Sequence, residues 1–115
     1  MASPFQPLLA TLMRLRGTTA CLIVDERDGV IVDSTLQFGM RGNVFAVLIS
    51  SLFRKVRQSA SAAGLGEATF VQLEAELGRV CAVGRDGLVL IAVADPKANL
   101  GLLRVELLKA REGLA

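Results

Sequence analysis

A chain of 115 residues is long enough to bury one hydrophobic core and too short for two, so a single domain over residues 1–115 is expected. Thirteen Lys and Arg stand against eleven Asp and Glu, a formal charge of +2 with no basic block; with no Trp, no Tyr and five Phe, the stacking platforms of single-strand binders are missing and no nucleic-acid partner is expected. Histidine is absent, which removes Ser–His and Cys–His nucleophile pairs, the commonest general base and most catalytic zinc sites.

The chain opens Met1-Ala2-Ser3-Pro4-Phe5, with neither the basic stretch nor the long apolar run of a secretory signal, so the cytoplasm is the expected location. Leu8, Leu9, Leu12, Met13 and Leu15 recur at helical spacing over residues 7–16, with Pro7 favouring a start and Gly17 a stop, which predicts a short opening helix. Residues 19–25 (TACLIVD) and 30–35 (VIVDST) are apolar and β-branched on either side of ERDG, which predicts a β-hairpin. Asp25, Glu26 and Asp28 could hold a divalent cation at its tip, but a charged turn on an exposed hairpin accounts for them, and no metal is expected. FGMRG (38–42) breaks the pattern before the longest periodic stretch, a main helix predicted from Asn43 as N-cap to just before Gly64.

That helix says more than any motif. At 100° per residue Phe45, Ala46, Leu48, Ile49, Leu52, Phe53, Val56, Ala60 and Ala63 form an arc broken only by Ser59. It spans about 160°, wider than the ~100° stripe with which a surface helix meets one core. One flank can serve the chain's own sheet and leave the other for a second chain; the alternative is a wide helix sunk into its own sheet. The opposite side carries Ser50, Ser51, Arg54, Lys55, Arg57 and Gln58, read as a solvated face or as a basic edge for an acidic partner.

After GLG at 64–66, residues 68–76 alternate Thr69, Val71, Leu73 and Ala75 with Phe70, Gln72, Glu74 and Glu76, which predicts a strand with one wetter face. Glu74 and Glu76 share a face as catalytic carboxylates would, yet they lack a partner acid or base, and a solvated strand produces the same spacing. RVCAVGR (79–85) and LVLIAVA (88–94) flank Asp86-Gly87, a strong hairpin signal. Leu100, Leu103, Leu107 and Leu108 share a face of a closing helix that ends at Gly113. Cys21 and Cys81 lie in apolar strand segments with no Cys or His beside them, which predicts buried, reduced thiols. No GxxxxGK[ST] or GxGxxG occurs and GLG opens a strand, so no nucleotide or other cofactor is expected, nor any catalytic constellation.

The order is α-β-β-α-β-β-β-α, an α+β chain. LVLIAVA and CLIV lack polar alternation, so helices should cover both faces of the sheet. The composition is 52% hydrophobic with a mean hydropathy of +0.51, which points to some apolar surface meeting another chain. No apolar run approaches the ~18 residues of a membrane helix, so no membrane insertion is expected.

This order, with LEAELGRVCAV and LVLIAV followed by DPKANLGLLRVELLKA, resembles the roadblock family of dynein-light-chain and bacterial gliding-protein (MglB) type domains. The resemblance covers nearly the whole chain. CLIVDERDGVIV looks like the family's first hairpin, and ANLGLLRVEL, with Asn99, Gly101 and Arg104, like the start of its last helix. The opening helix is short for the family, and an extension of the kind some members carry after the last helix is not expected. The resemblance implies a profilin-like, five-stranded antiparallel sheet with the long helix on one face and the two terminal helices on the other. It implies a homodimer in which the long helices pack together and the third strands meet edge to edge, with Phe45, Leu48, Leu52, Val56, Thr69, Val71 and Leu73 at the interface. It also implies a non-catalytic module that docks a small Ras-like GTPase as regulator, activator or scaffold, the alternative being a structural adaptor or sensor with no GTPase partner. Arg41, Arg54 and Arg57, near or on the long helix, are then the candidate partner contacts.

Overall fold

The computed structural model describes residues 3–114, in which the periodic segments become α1 (Gln6–Met13), β1 (Thr18–Asp25), β2 (Ile31–Leu36), α2 (Gly42–Ala62), β3 (Val71–Ala75), β4 (Gly78–Arg85), β5 (Leu88–Ala94) and α3 (Leu100–Ala110), followed by a 3₁₀ turn over Arg111–Leu114. The five strands form one sheet in the order β2-β1-β5-β4-β3, antiparallel at every pairing. The central β5 is buried from Val89 to Ala94, which is why its sequence shows no polar alternation.

Strand alternation sorts the core into two layers. Cys21, Ile23, Cys81, Val83, Leu90 and Ala92 face α1 and α3, packing on Leu9, Leu12, Leu103, Leu107 and Leu114. Ala20, Leu22, Val24, Ala82, Val89 and Ile91 face α2, which contributes Ala46 and Phe53. Cys21 and Cys81 both stand opposite Ala92, one on each side of β5. They are two strand spacings apart, about 10 Å, beyond the ~7 Å reach of a disulfide. Both are buried free thiols, and burial pushes Cys21 up to about 12 and Cys81 up to about 11. At Cys81 burial outweighs the nearby Arg79, which pulls the other way, and Glu74 adds to the rise.

The Asp86-Gly87 hairpin forms as expected, with φ of 53° and 80°, the positive pair of a type I′ turn. Asn99 caps α3 by accepting the Leu102 N–H at Oδ1, 3.0 Å away. The largest departures from the sequence reading fall in four elements. Arg41, not Asn43, occupies the N-cap of α2, and no side chain caps it. Helix entry is set by packing: a Cβ on Gly42 would lie 2.8 Å from Leu36 Cδ1. α1 stops at Met13 and the chain reaches β1 through turn bonds from Leu15 to Leu12 and Thr18 to Leu15. β3 begins only at Val71, where its ladder with β4 starts opposite Ala82, so Thr69 and Phe70 precede it and Glu76 lies in the turn after it. α3 ends at Ala110 and tightens so that Leu114 can enter the core.

Candidate interaction surface

α2 divides into three flanks. Ala46 and Phe53 are sealed against the sheet. The flank toward the β1–β2 turn, expected to be solvated at Ser50, Arg54 and Arg57, is instead clasped by that turn. Ser50 is buried, donating to the Val47 carbonyl at 3.2 Å, because Gly29, at φ +72°, lays its backbone against it. Arg54 Nη1 donates to the carbonyls of Glu26 and Arg27 at 3.1 and 2.8 Å. Arg57 grips the Glu26 carboxylate through Nη2 at 2.6 Å and Nε at 3.0 Å. That hydrogen bonding, then Coulomb attraction to Glu26, raises the Arg57 pKa. Two of the three arginines named from sequence are therefore struts of the fold. Arg41, exposed at the start of α2, makes no ion pair among the described residues.

The third flank is apolar and lacks a cover. Phe45 and Ile49 lean on the sheet core, Leu52 and Val56 are half-buried, and Leu48 is 62% exposed. β3 is the last strand of the sheet, so one side of its backbone has no strand partner among the described residues. Val71 and Leu73 pair with Ala82 and Val80, residues of the α2-side layer, and so point to the same side as α2. Between helix and strand runs a groove of about 460 Å3 lined by Met40, Phe45, Leu73, Ala75, Leu77 and Val80. The structure thus sets Phe45, Leu48, Leu52 and Val56 on one flank of α2 with Val71 and Leu73 beside them, while Thr69 stays in the loop before the strand.

Sequence reasoning passed over Leu65 and Leu77, which are 78% and 87% exposed, and Phe38, which is fully exposed. The available signal was a large apolar side chain in a turn: Gly-Leu-Gly, Glu-Leu-Gly and Gln-Phe-Gly put one where polar turn chemistry is usual.

The charged residues gather at the other end of α2, around a cleft of about 420 Å3 lined by Glu26, Arg57, Glu67, Arg85, Asp86 and Arg111. Its cations are spoken for: Arg85 pairs with Glu112 at 3.0 Å and Arg111 Nε donates to the Gly84 carbonyl at 2.9 Å. In the adjoining turn Asp25 and Asp28 accept the N–H groups of Arg27 and Val30, at 2.9 and 3.1 Å. Glu74 lies 3.8 Å from Arg79. No three metal-capable side chains converge among the described residues.

No family model matches the sequence. The uncharacterized protein MJ1340 of Methanocaldococcus jannaschii is 26% identical over 105 residues, 91% of each chain. The structure superposes on the Roadblock/LC7 domain from Streptomyces avermitilis with a TM-score of 0.85, covering 97% of this chain and 95% of that one at 19% identity. The chain has the roadblock fold. Gliding protein MglB from Thermus thermophilus shares that roadblock architecture at a TM-score of 0.84, with 18% identity over 100% of this chain and 90% of the other. An MglB structure with a tetrameric arrangement matches equally, at 0.84 and 19% identity, over 100% and 90% of the two chains. The five-stranded sheet between a long helix and two terminal ones, expected from the roadblock resemblance, is what the structure contains. No described helix is long and apolar enough to cross a membrane.

Proposed function

We propose that the chain is a non-catalytic, homodimeric binding module that docks a small Ras-like GTPase and regulates it. The observation that carries this reading is the uncovered apolar flank of α2 lying beside the open edge of β3. Exposed leucines next to an unpaired strand attract another chain, and a two-fold axis lets the same patch satisfy itself on both copies. The tetrameric arrangement named for one MglB structure supports self-association in this fold, and the roadblock resemblance supports a GTPase as the further partner. Regulation works by docking that reorders the GTPase's own switch segments. Arg54 and Arg57 are tied to the β1–β2 turn, which leaves Arg41 as the one arginine of the three able to reach into a neighbouring site.

The test is calorimetry with purified Ras-like GTPases from the same cell, each loaded with a GTP analogue or with GDP. The reading predicts tighter binding of the GTP form, because the switch segments differ between the two states. Binding to neither form would leave the adaptor or sensor role in its place. With a binding GTPase in hand, Arg41→Ala should lower stimulated turnover only as far as it weakens binding. A ~10³-fold loss with binding intact would mark an arginine finger and contradict docking as the mechanism.

A further inference from the structure

α2 ends in a Schellman turn. Gly64, at φ +76°, donates its N–H to the Ser61 carbonyl at 3.0 Å, and the Leu65 N–H reaches back to the Ala60 carbonyl at 2.9 Å. In this motif the residue after the glycine commonly packs its side chain back on the helix. Leu65 is nevertheless 78% exposed, held between two glycines that both have positive φ. A well-bonded backbone thus holds out a bare leucine at the end of the molecule where β3 begins.

The apolar groove between Met40, Phe45, Leu73, Ala75 and Leu77 opens at the other end of β3. The length of the strand separates the two features, so Leu65 is kept from the groove of its own chain. A two-fold axis that joins two β3 edges and keeps both α2 helices on one face must run normal to the sheet. It therefore sets the two β3 strands antiparallel, and the start of each meets the end of the other. The α2–β3 connection of one copy is carried to the groove of its partner.

We infer that Leu65 of each copy seats in the groove of the other, an exchange made twice in the dimer. The occupant is a second copy of this chain because the groove is continuous with the α2 and β3 surface of the dimer contact, and because the apolar knob that fits its lining is supplied at the symmetry-matched position. The inference rests on the homodimer reading above.

The experiment measures the dimer dissociation constant by sedimentation equilibrium for wild type, Leu65→Ser, Leu77→Ser and the double variant. Val105→Ser, on α3 across the sheet and 48% exposed, is the control. Leu65→Ser should weaken dimerisation by about 100-fold, since two buried leucines are lost per dimer, while Val105→Ser leaves it unchanged. The double variant should lose less than the product of the single losses, because each change removes the same contact. Circular dichroism of Leu65→Ser should match wild type. A Leu65→Ser protein that dimerises within about twofold of wild type, or fully multiplicative losses in the double variant, would overturn the inference and leave the homodimer standing. A monomeric wild type would overturn the homodimer reading and the inference with it.

Discussion

Gly84 leaves room for the Phe53 ring of α2 against the sheet: a Cβ there would fall 2.5 Å from Cε1 of that ring. Gly84→Ala must displace the largest side chain of the α2-side layer, so it should cost about 1–3 kcal/mol in urea unfolding; a loss below about 0.5 kcal/mol would mean that Phe53 is free to shift. The two thiols make a second residue-scale prediction. Burial raises both above their ordinary value of 9.0, so each is protonated when folded and ionises first in the unfolded chain. Stability is therefore fully present below pH 9 and falls above it, by about 1.4 kcal/mol per pH unit for each thiol, until the folded-state values are reached. With no Tyr in the chain and its Lys exposed, Cys21→Ala/Cys81→Ala should flatten the alkaline limb of the stability curve. An unchanged limb would contradict the burial argument. The burial of the two thiols did not need the partner strands to be known, since the apolar segments around Cys21 and Cys81 already implied it. The shared position opposite Ala92 was hidden, because register depends on which strands meet.

At the scale of the element, the strands and helices were legible wherever periodicity ran unbroken, as in LVLIAVA and the arc of α2. The main misses come from packing that periodicity does not record. Ser50 reads as polar surface until the β1–β2 turn closes over it, and Asn43 reads as a cap until Leu36 packs on Gly42. β3 reads as longer than it is because alternation continues through Thr69 and Phe70, whereas Phe70 leaves the ladder to lie under Arg104, whose guanidinium carbon is 4.7 Å from the ring centroid. The arc of α2 is correspondingly not one surface but two. Replacing its inner residue Phe53 by Ala should destabilise the fold by about 3–5 kcal/mol. Leu52→Glu, on the half-buried outer flank, should leave the fold intact and weaken the dimer by several kcal/mol, the cost of desolvating a charge. Circular dichroism and light scattering separate the two effects. An unfolded Leu52→Glu protein would show that this flank faces the chain's own core.

At the scale of the whole molecule, the two faces of the sheet have different fates. α1, α3 and the 3₁₀ turn roof one side, so that Leu103, Leu107 and Leu114 are all buried. On the other side a single helix leaves β3 uncovered, and the apolar groove opens in the gap. This asymmetry was partly legible, since one wide arc and one half-wet strand each asked for a neighbour. The place where they meet was not, because Phe45 and Leu73 come together only when α2 crosses the sheet.

The central claim is that this uncovered surface is closed by a second copy of the chain. Light scattering of the wild-type protein, diluted from tens of micromolar to below one micromolar, tests it directly. A mass of twice the 12.2 kDa chain at the upper concentrations, falling only on dilution, is the predicted result. A mass of 12.2 kDa at every concentration would contradict it.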